Sequence, residues 1–144
     1  MGNSKTLLNN CLLFTANSLA RVITRMAEEE FRITGLSPSH AFLLMSVNDN
    51  PGIGSKALSE HLQLAPSTVT RFVDSLVYKG LLVRETEGRE TSLTLTPAGL
   101  DLQKIIMKSW KNLHERYAKI LGRKEGDDFT HLVDEMSKKL IENK

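Results

Sequence analysis

The side chains most able to do chemistry gather in one short run. Ser67, Thr68, Thr70 and Arg71 face one way on a helical period, while Val69, Phe72 and Val73 face the other. An arginine can donate two parallel hydrogen bonds to a guanine edge, and short hydroxyls suit phosphate oxygens or thymine methyl groups, so this run has the chemistry of a groove-reading surface. Arg89, beside Gly88, has the reach to enter a narrow minor groove, where negative potential attracts arginine, and Glu87 is placed to orient its guanidinium. Lys56, Lys79 and Arg84 add candidate phosphate contacts.

Other chemistries find less support. Cys11 is the one cysteine, so an intramolecular disulfide is impossible and a reducing cytoplasm is the expected compartment. A sensing thiol must be ionised and accessible, and the apolar neighbours Leu7, Leu8 and Leu12 point instead to a buried packing residue. His131 and Glu135 share a helix face, but two ligands are half a metal site. There is no phosphate-binding glycine loop, nucleophile elbow or CxxC pair, so neither an enzyme nor a bound cofactor or metal is expected.

The elements that must position these residues follow from pattern and punctuation. The 144 residues, 40% hydrophobic and 25% charged, suit a single core-forming domain. One long first helix is expected from Ser4 to about Phe31, with Gly35 as its stop. Ser37-Pro38 starts a second, reaching about Asn48; Asp49-Asn50-Pro51-Gly52 breaks the chain; and Ser55 to Leu62 forms a third, capped by Gly54 or Ser55. Ala65-Pro66 restarts the helix almost at once, and Lys79-Gly80 ends it near Tyr78. Alternation then replaces the helical period: Leu82–Glu85 and Thr91–Thr96 flank Thr86-Glu87-Gly88-Arg89 as a small hairpin. Thr96-Pro97 launches a helix to about Leu121, and Gly122 separates it from a last helix carrying Phe129, Leu132, Val133, Met136 and Leu140 on one face.

Two short helices joined by Gln63-Leu64-Ala65 and followed directly by a hairpin make a helix-turn-helix with a wing, which lays its second helix in the DNA major groove. The expected class is mainly α with a small β-hairpin wing. The stripe Leu102, Ile105, Ile106, Leu113, Tyr117 and Ile120 exceeds what so small a lobe can cover, so a homodimer is expected. No run approaches the ~20 apolar residues needed to span a bilayer. The stretch Leu7 to Ala20 is interrupted by Asn9, Asn10 and Asn17 and lacks a cleavage site, so it reads as a helix of the mature fold. The myristoylation-like opening Met1-Gly2-Asn3-Ser4-Lys5-Thr6 is short enough to recur by chance.

In this order and spacing, Ser67-Thr68-Val69-Thr70-Arg71, Lys79-Gly80-Leu81-Leu82, the Glu87-Gly88-Arg89 wing and Leu95-Thr96-Pro97-Ala98-Gly99 resemble the multiple-antibiotic-resistance regulator (MarR) family over nearly the whole chain. The resemblance implies one domain over residues 1–144, with 1–36 and 97–144 as dimerisation helices and 37–96 as the winged helix-turn-helix lobe. It also implies a cytoplasmic homodimer that represses transcription from a pseudo-palindromic double-stranded operator until a small amphipathic, phenolic or anionic effector releases it. Phe14, Arg21, His40, Phe42 and Trp110 are the candidate effector-lining residues, each also explicable as core or interface. Cys11 resembles the sensing cysteine of the peroxide-responsive branch, but Tyr78 and Tyr117 are the only tyrosines and neither lies in the first two helices. The alternatives are a redox-responsive repressor using Cys11 and a winged helix that docks proteins without reading DNA. Between Gly54 and Leu95, Lys56, Arg71, Lys79, Arg84 and Arg89 are balanced by Glu60, Asp74, Glu85, Glu87 and Glu90. Placement rather than net charge must therefore favour DNA.

Overall fold

A computed structural model describes residues 3–143. Met1, Gly2 and Lys144 lie outside them, and with Gly2 the acceptor of the myristoylation pattern. The elements run α1 (Ser4–Asn9), α2 (Leu12–Phe31), a 3-10 turn (Arg32–Thr34), α3 (Pro38–Asp49), α4 (Ser55–Leu62), α5 (Pro66–Tyr78), β1 (Leu82–Glu87), β2 (Glu90–Leu95), α6 (Pro97–Leu121) and α7 (Arg123–Glu142). This is the mainly helical chain with one hairpin that the patterning predicts. No helix among the described residues is long and apolar enough to cross a membrane.

The first helix is two helices, which corrects the expectation of one. The Asn10 side-chain amide donates to the Thr6 carbonyl at 2.8 Å, and the backbone leaves the helix at Cys11, which is extended (φ −102°, ψ 121°) and sits at the N-cap of α2. Short polar side chains that bond their own backbone compete with a helix, and Asn9-Asn10 puts two of them together. Cys11 is exposed in the single chain, not packed among leucines. At the far end of α2, Thr34 tightens the last turn by donating its hydroxyl to the Phe31 carbonyl at 2.6 Å, and Gly35 ends it in the left-handed region (φ 74°).

The chain falls into two compact units divided between Ser109 and Trp110, inside α6. The first holds the main core: Phe31 of α2, Leu43, Leu44 and Val47 of α3, Leu58 of α4, Val69, Val73 and Leu76 of α5, and Leu93 of β2 are all fully buried or nearly so. Burying one such side chain contributes about 1.5–3 kcal/mol, so this group supplies most of the lobe's stabilisation. Ser37 caps α3 by accepting from the His40 amide at 3.3 Å, with Pro38 in the first turn. β1 and β2 pair antiparallel from Leu82↔Leu95 to Glu87↔Glu90, and Gly88 (φ 64°) closes the turn.

A third backbone segment joins this hairpin, and the sequence pattern gives no sign of it. Ile53 bridges to Leu93, with Gly52 N donating to Leu93 O at 2.8 Å and Leu93 N to Ile53 O at 3.0 Å. The wing is thereby pinned to the loop that starts α4. In the second unit, Arg123 clamps Glu115 at 2.9 Å, His114 meets Asp127 at 3.0 Å, and buried Gly126 lets Tyr117 pack close by.

Candidate nucleic-acid interface

Four residues at the start of α5 carry the candidate reading surface. Ala65 is extended and Pro66 occupies the first turn, where a missing N–H costs nothing, so the helix begins abruptly. Ser67, Thr70 and Arg71 are exposed and Thr68 half-buried, while Val69, Val73 and Leu76 point into the core. Thr70 returns its hydroxyl to the Pro66 carbonyl at 3.0 Å and stays exposed. Arg71 makes no ion pair among the described residues. Its guanidinium is available to an outside acceptor.

The turn between α4 and α5 is tight because Gln63 adopts the left-handed conformation (φ 56°), the one non-glycine residue at positive φ among those described. Leu64 N then donates to Ser59 O at 3.1 Å and closes the end of α4. Such a position costs an ordinary residue about 1–2 kcal/mol, and here it sets how α5 leaves α4.

The structure brings Lys56 and Arg89 together. Both line an open cleft of about 560 Å³ with Gly52, Gly54, Ser55, Glu90 and Thr91, between the start of α4 and the wing tip. Gly54 caps α4 without a side chain, so the first-turn amides carry no side-chain acceptor. A helix start of this kind, with its partial positive charge, favours an anion. Adjoining the first cleft through Gly52, Glu90 and Thr91, a second cleft is lined by Glu85, Thr86, Glu87 and Ser92. The first cleft carries Lys56 and Arg89 against Glu90, whereas the charged residues of the second are all acidic.

Two wing residues sit otherwise than their sequence positions suggest. Arg84 is engaged: its Nη1 lies 2.7 Å from Asp74 Oδ1, tying β1 to α5. Glu87 and Arg89 form no ion pair with each other in the free chain. The pairing of Arg84 crosses from strand to helix, so no local spacing could reveal it.

Of the effector-lining candidates, Phe14, Arg21, His40 and Phe42 belong to the first unit and Trp110 to the second. Phe42 packs edge-on against Phe31, with centroids 5.6 Å apart, and Trp110 stacks on His114 at 5.6 Å. His40 lies against Phe72 of α5, with rings 4.1 Å apart and 30° from parallel. Ser37 Oγ accepts the His40 amide and lies 2.6 Å from Nδ1, so its own hydrogen is free to meet that nitrogen in the neutral ring. Burial, and then the nearby Lys79 charge, hold the His40 pKa below the ordinary 6.5. An imidazole stacked on α5 is a contact that sequence reasoning missed.

Residues 36–88, the segment holding α3 to the wing turn, match the model of the MarR family. A curated relative, described as a candidate transcriptional regulatory protein for the hcr operon of Thauera aromatica, is 32% identical over 69 residues. The match takes in 46% of this chain, which spans 42% of that relative's length. Among solved structures, the repressor CouR bound to a 23-mer DNA duplex superposes with a TM-score of 0.85 at 20% identity, over 95% of this chain and 99% of that one. The PcaV regulator of Streptomyces coelicolor, in complex with its natural ligand, gives 0.79 at 21%, over 91% and 94%. These two likenesses establish the fold, and the matched segment is similar to the MarR family.

Proposed function

We propose that this chain is a sequence-specific, DNA-binding transcriptional regulator that acts in the cytoplasm as a homodimer. It represses from a pseudo-palindromic operator and is released by a small amphipathic ligand. The observation that carries the reading is the division of α5 into a buried face and an exposed start, with unpaired Arg71 among short hydroxyls and the cationic wing cleft on the neighbouring element. Arg71, with Ser67, Thr68 and Thr70, reads the major groove; Arg89 enters the minor groove; Lys56 and the start of α4 hold a phosphate between them. Arg84 braces the wing against α5 through Asp74.

Dimerisation has its own physical support in the apolar side chains left outside the single chain, among them Leu12, Leu13, Val22, Ile120, Leu132 and Leu140. Effector release draws on PcaV, whose structure holds its natural ligand, and on the aromatic and imidazole side chains around α3. No enzymatic activity is part of this account.

Titrations at several salt concentrations test it. In Arg71→Ala, preference for the operator over mixed sequence narrows, the lost bidentate contact being worth about 1–3 kcal/mol. In Arg89→Ala, affinity falls for all duplexes and the salt dependence becomes shallower. DNA binding untouched by either change would end the proposal.

A further inference from the structure

The exit of α5 and the start of α6 meet at one hydroxyl. Thr96 Oγ1 donates to the Gly80 carbonyl at 2.6 Å and accepts from the Gly99 amide at 3.0 Å. The Thr96 amide donates to the Leu81 carbonyl at 3.2 Å. Gly99 is buried against that same carbonyl, and a Cβ there would run into its oxygen. On the other side, α5 ends in a tightly bonded turn: Gly80 is left-handed (φ 74°), with Gly80 N on Val77 O and Leu81 N on Leu76 O, both at 3.0 Å. Residues 76–81 are therefore held by their own helix on one side and by the first turn of α6 on the other, with no slack segment between.

We propose that Thr96 is a positioning residue for DNA recognition: through its hydroxyl the first turn of α6 sets the tilt of α5, and so the placement of the Ser67–Arg71 turn at the opposite end. This rests on the reading of α5 as the groove-facing helix. The lever is stiff, since 13 residues make a rod of about 20 Å, and a tilt of about 3° at Gly80 moves the far end by about 1 Å. A shift of that size takes a bidentate arginine contact out of hydrogen-bonding range. Movement of α6 at this joint would reach the start of α5 through the stiff helix.

Three substitutions separate the latch from the helix cap. Thr96→Ser keeps both bonds. Thr96→Asp keeps an acceptor for Gly99 N but cannot donate to Gly80 O, and Thr96→Val loses both without adding charge. Each full-length variant is titrated with a duplex selected by the wild type from a randomised library and with a mixed-sequence duplex, and amide exchange is followed at Gly80, Leu81 and Gly99. The Asp and Val variants bind the selected duplex about tenfold more weakly and keep mixed-sequence affinity within about twofold, as loss of one aligned contact predicts. Gly80 and Leu81 exchange faster in both, Gly99 keeps its protection in the Asp variant, and Thr96→Ser matches the wild type. Unchanged selectivity in the Val and Asp variants, a loss shared equally by both duplexes, or a loss confined to the Asp variant overturns the latch alone. A wild type that enriches no sequence overturns the reading of α5 and the latch together.

Discussion

The winged lobe and α7 are both built on amphipathic helices, yet they end differently. In the lobe, α3, α4 and α5 bury their apolar faces on one another and on the hairpin, so Leu43, Leu44, Leu58 and Leu76 are sealed. In α7 the periodic stripe of Phe129, Leu132, Val133, Met136 and Leu140 stays 39–62% exposed, and Gly126 is its one buried residue. The same 3.6-residue pattern thus states only that a face must be covered. Whether the cover comes from the same chain depends on connectivity: short turns fold α3, α4 and α5 back on one another, whereas the face of α7 stays exposed in the single chain. On the proposed homodimer, a lobe with a closed core would keep its surface rigid while assembly sets the spacing of two such surfaces.

The comparison breaks most visibly through Leu44→Ala. Leu44 is fully buried, and its truncation should lower unfolding stability by about 3 kcal/mol, measured by denaturant titration. Leu132→Asp in α7 should leave the unfolding of the dilute chain nearly unchanged and weaken self-association by about 2 kcal/mol per protomer, read from sedimentation across a concentration series. A Leu132 variant that unfolds easily but associates normally would reverse the assignment of the two faces.

A smaller effect tests how the lobe holds α5. With the His40 pKa below 6.5 in the folded chain and ordinary in the unfolded one, the unfolded chain binds more protons between the two values. The contribution of neutral His40 is therefore complete above 6.5, and stability falls as pH drops through the window beneath it. Denaturation midpoints at about pH 7.5 and about pH 5 should differ more in the wild type than in His40→Gln. The smallest expected change is a gain: Gln63→Gly relieves the left-handed strain but adds unfolded-state freedom, for a net stabilisation of about 0.5 kcal/mol in thermal unfolding.

Much of the architecture is legible in the sequence because it is written in local signals. Ser37-Pro38, Ala65-Pro66 and Thr96-Pro97 each open a helix, Gly80 and Gly122 interrupt one, and the alternation around Gly88 makes the hairpin. The exposed start of α5 follows from the same periodicity. Contacts between distant segments were not legible. The Ile53–Leu93 bridge, the Arg84–Asp74 pair and the His40–Phe72 stack each join residues on different elements, where spacing carries no information. The break at Asn10-Cys11 was missed for another reason: apolar residues recurring at helical spacing on both sides of it outweighed Asn10, whose amide competes for the backbone. The cationic cleft lies between these cases. Lys56 and Arg89 were each candidates for DNA contact, but only the fold shows that they share one cavity.

The most direct test of the central claim is site selection by the full-length chain from a randomised duplex library, followed by footprinting of the enriched sequence. The account predicts one two-fold-symmetric site, protected on both halves, with half-sites about one helical turn apart and binding that weakens steeply with salt. Enrichment of no sequence, with equal weak binding to every duplex, would contradict it.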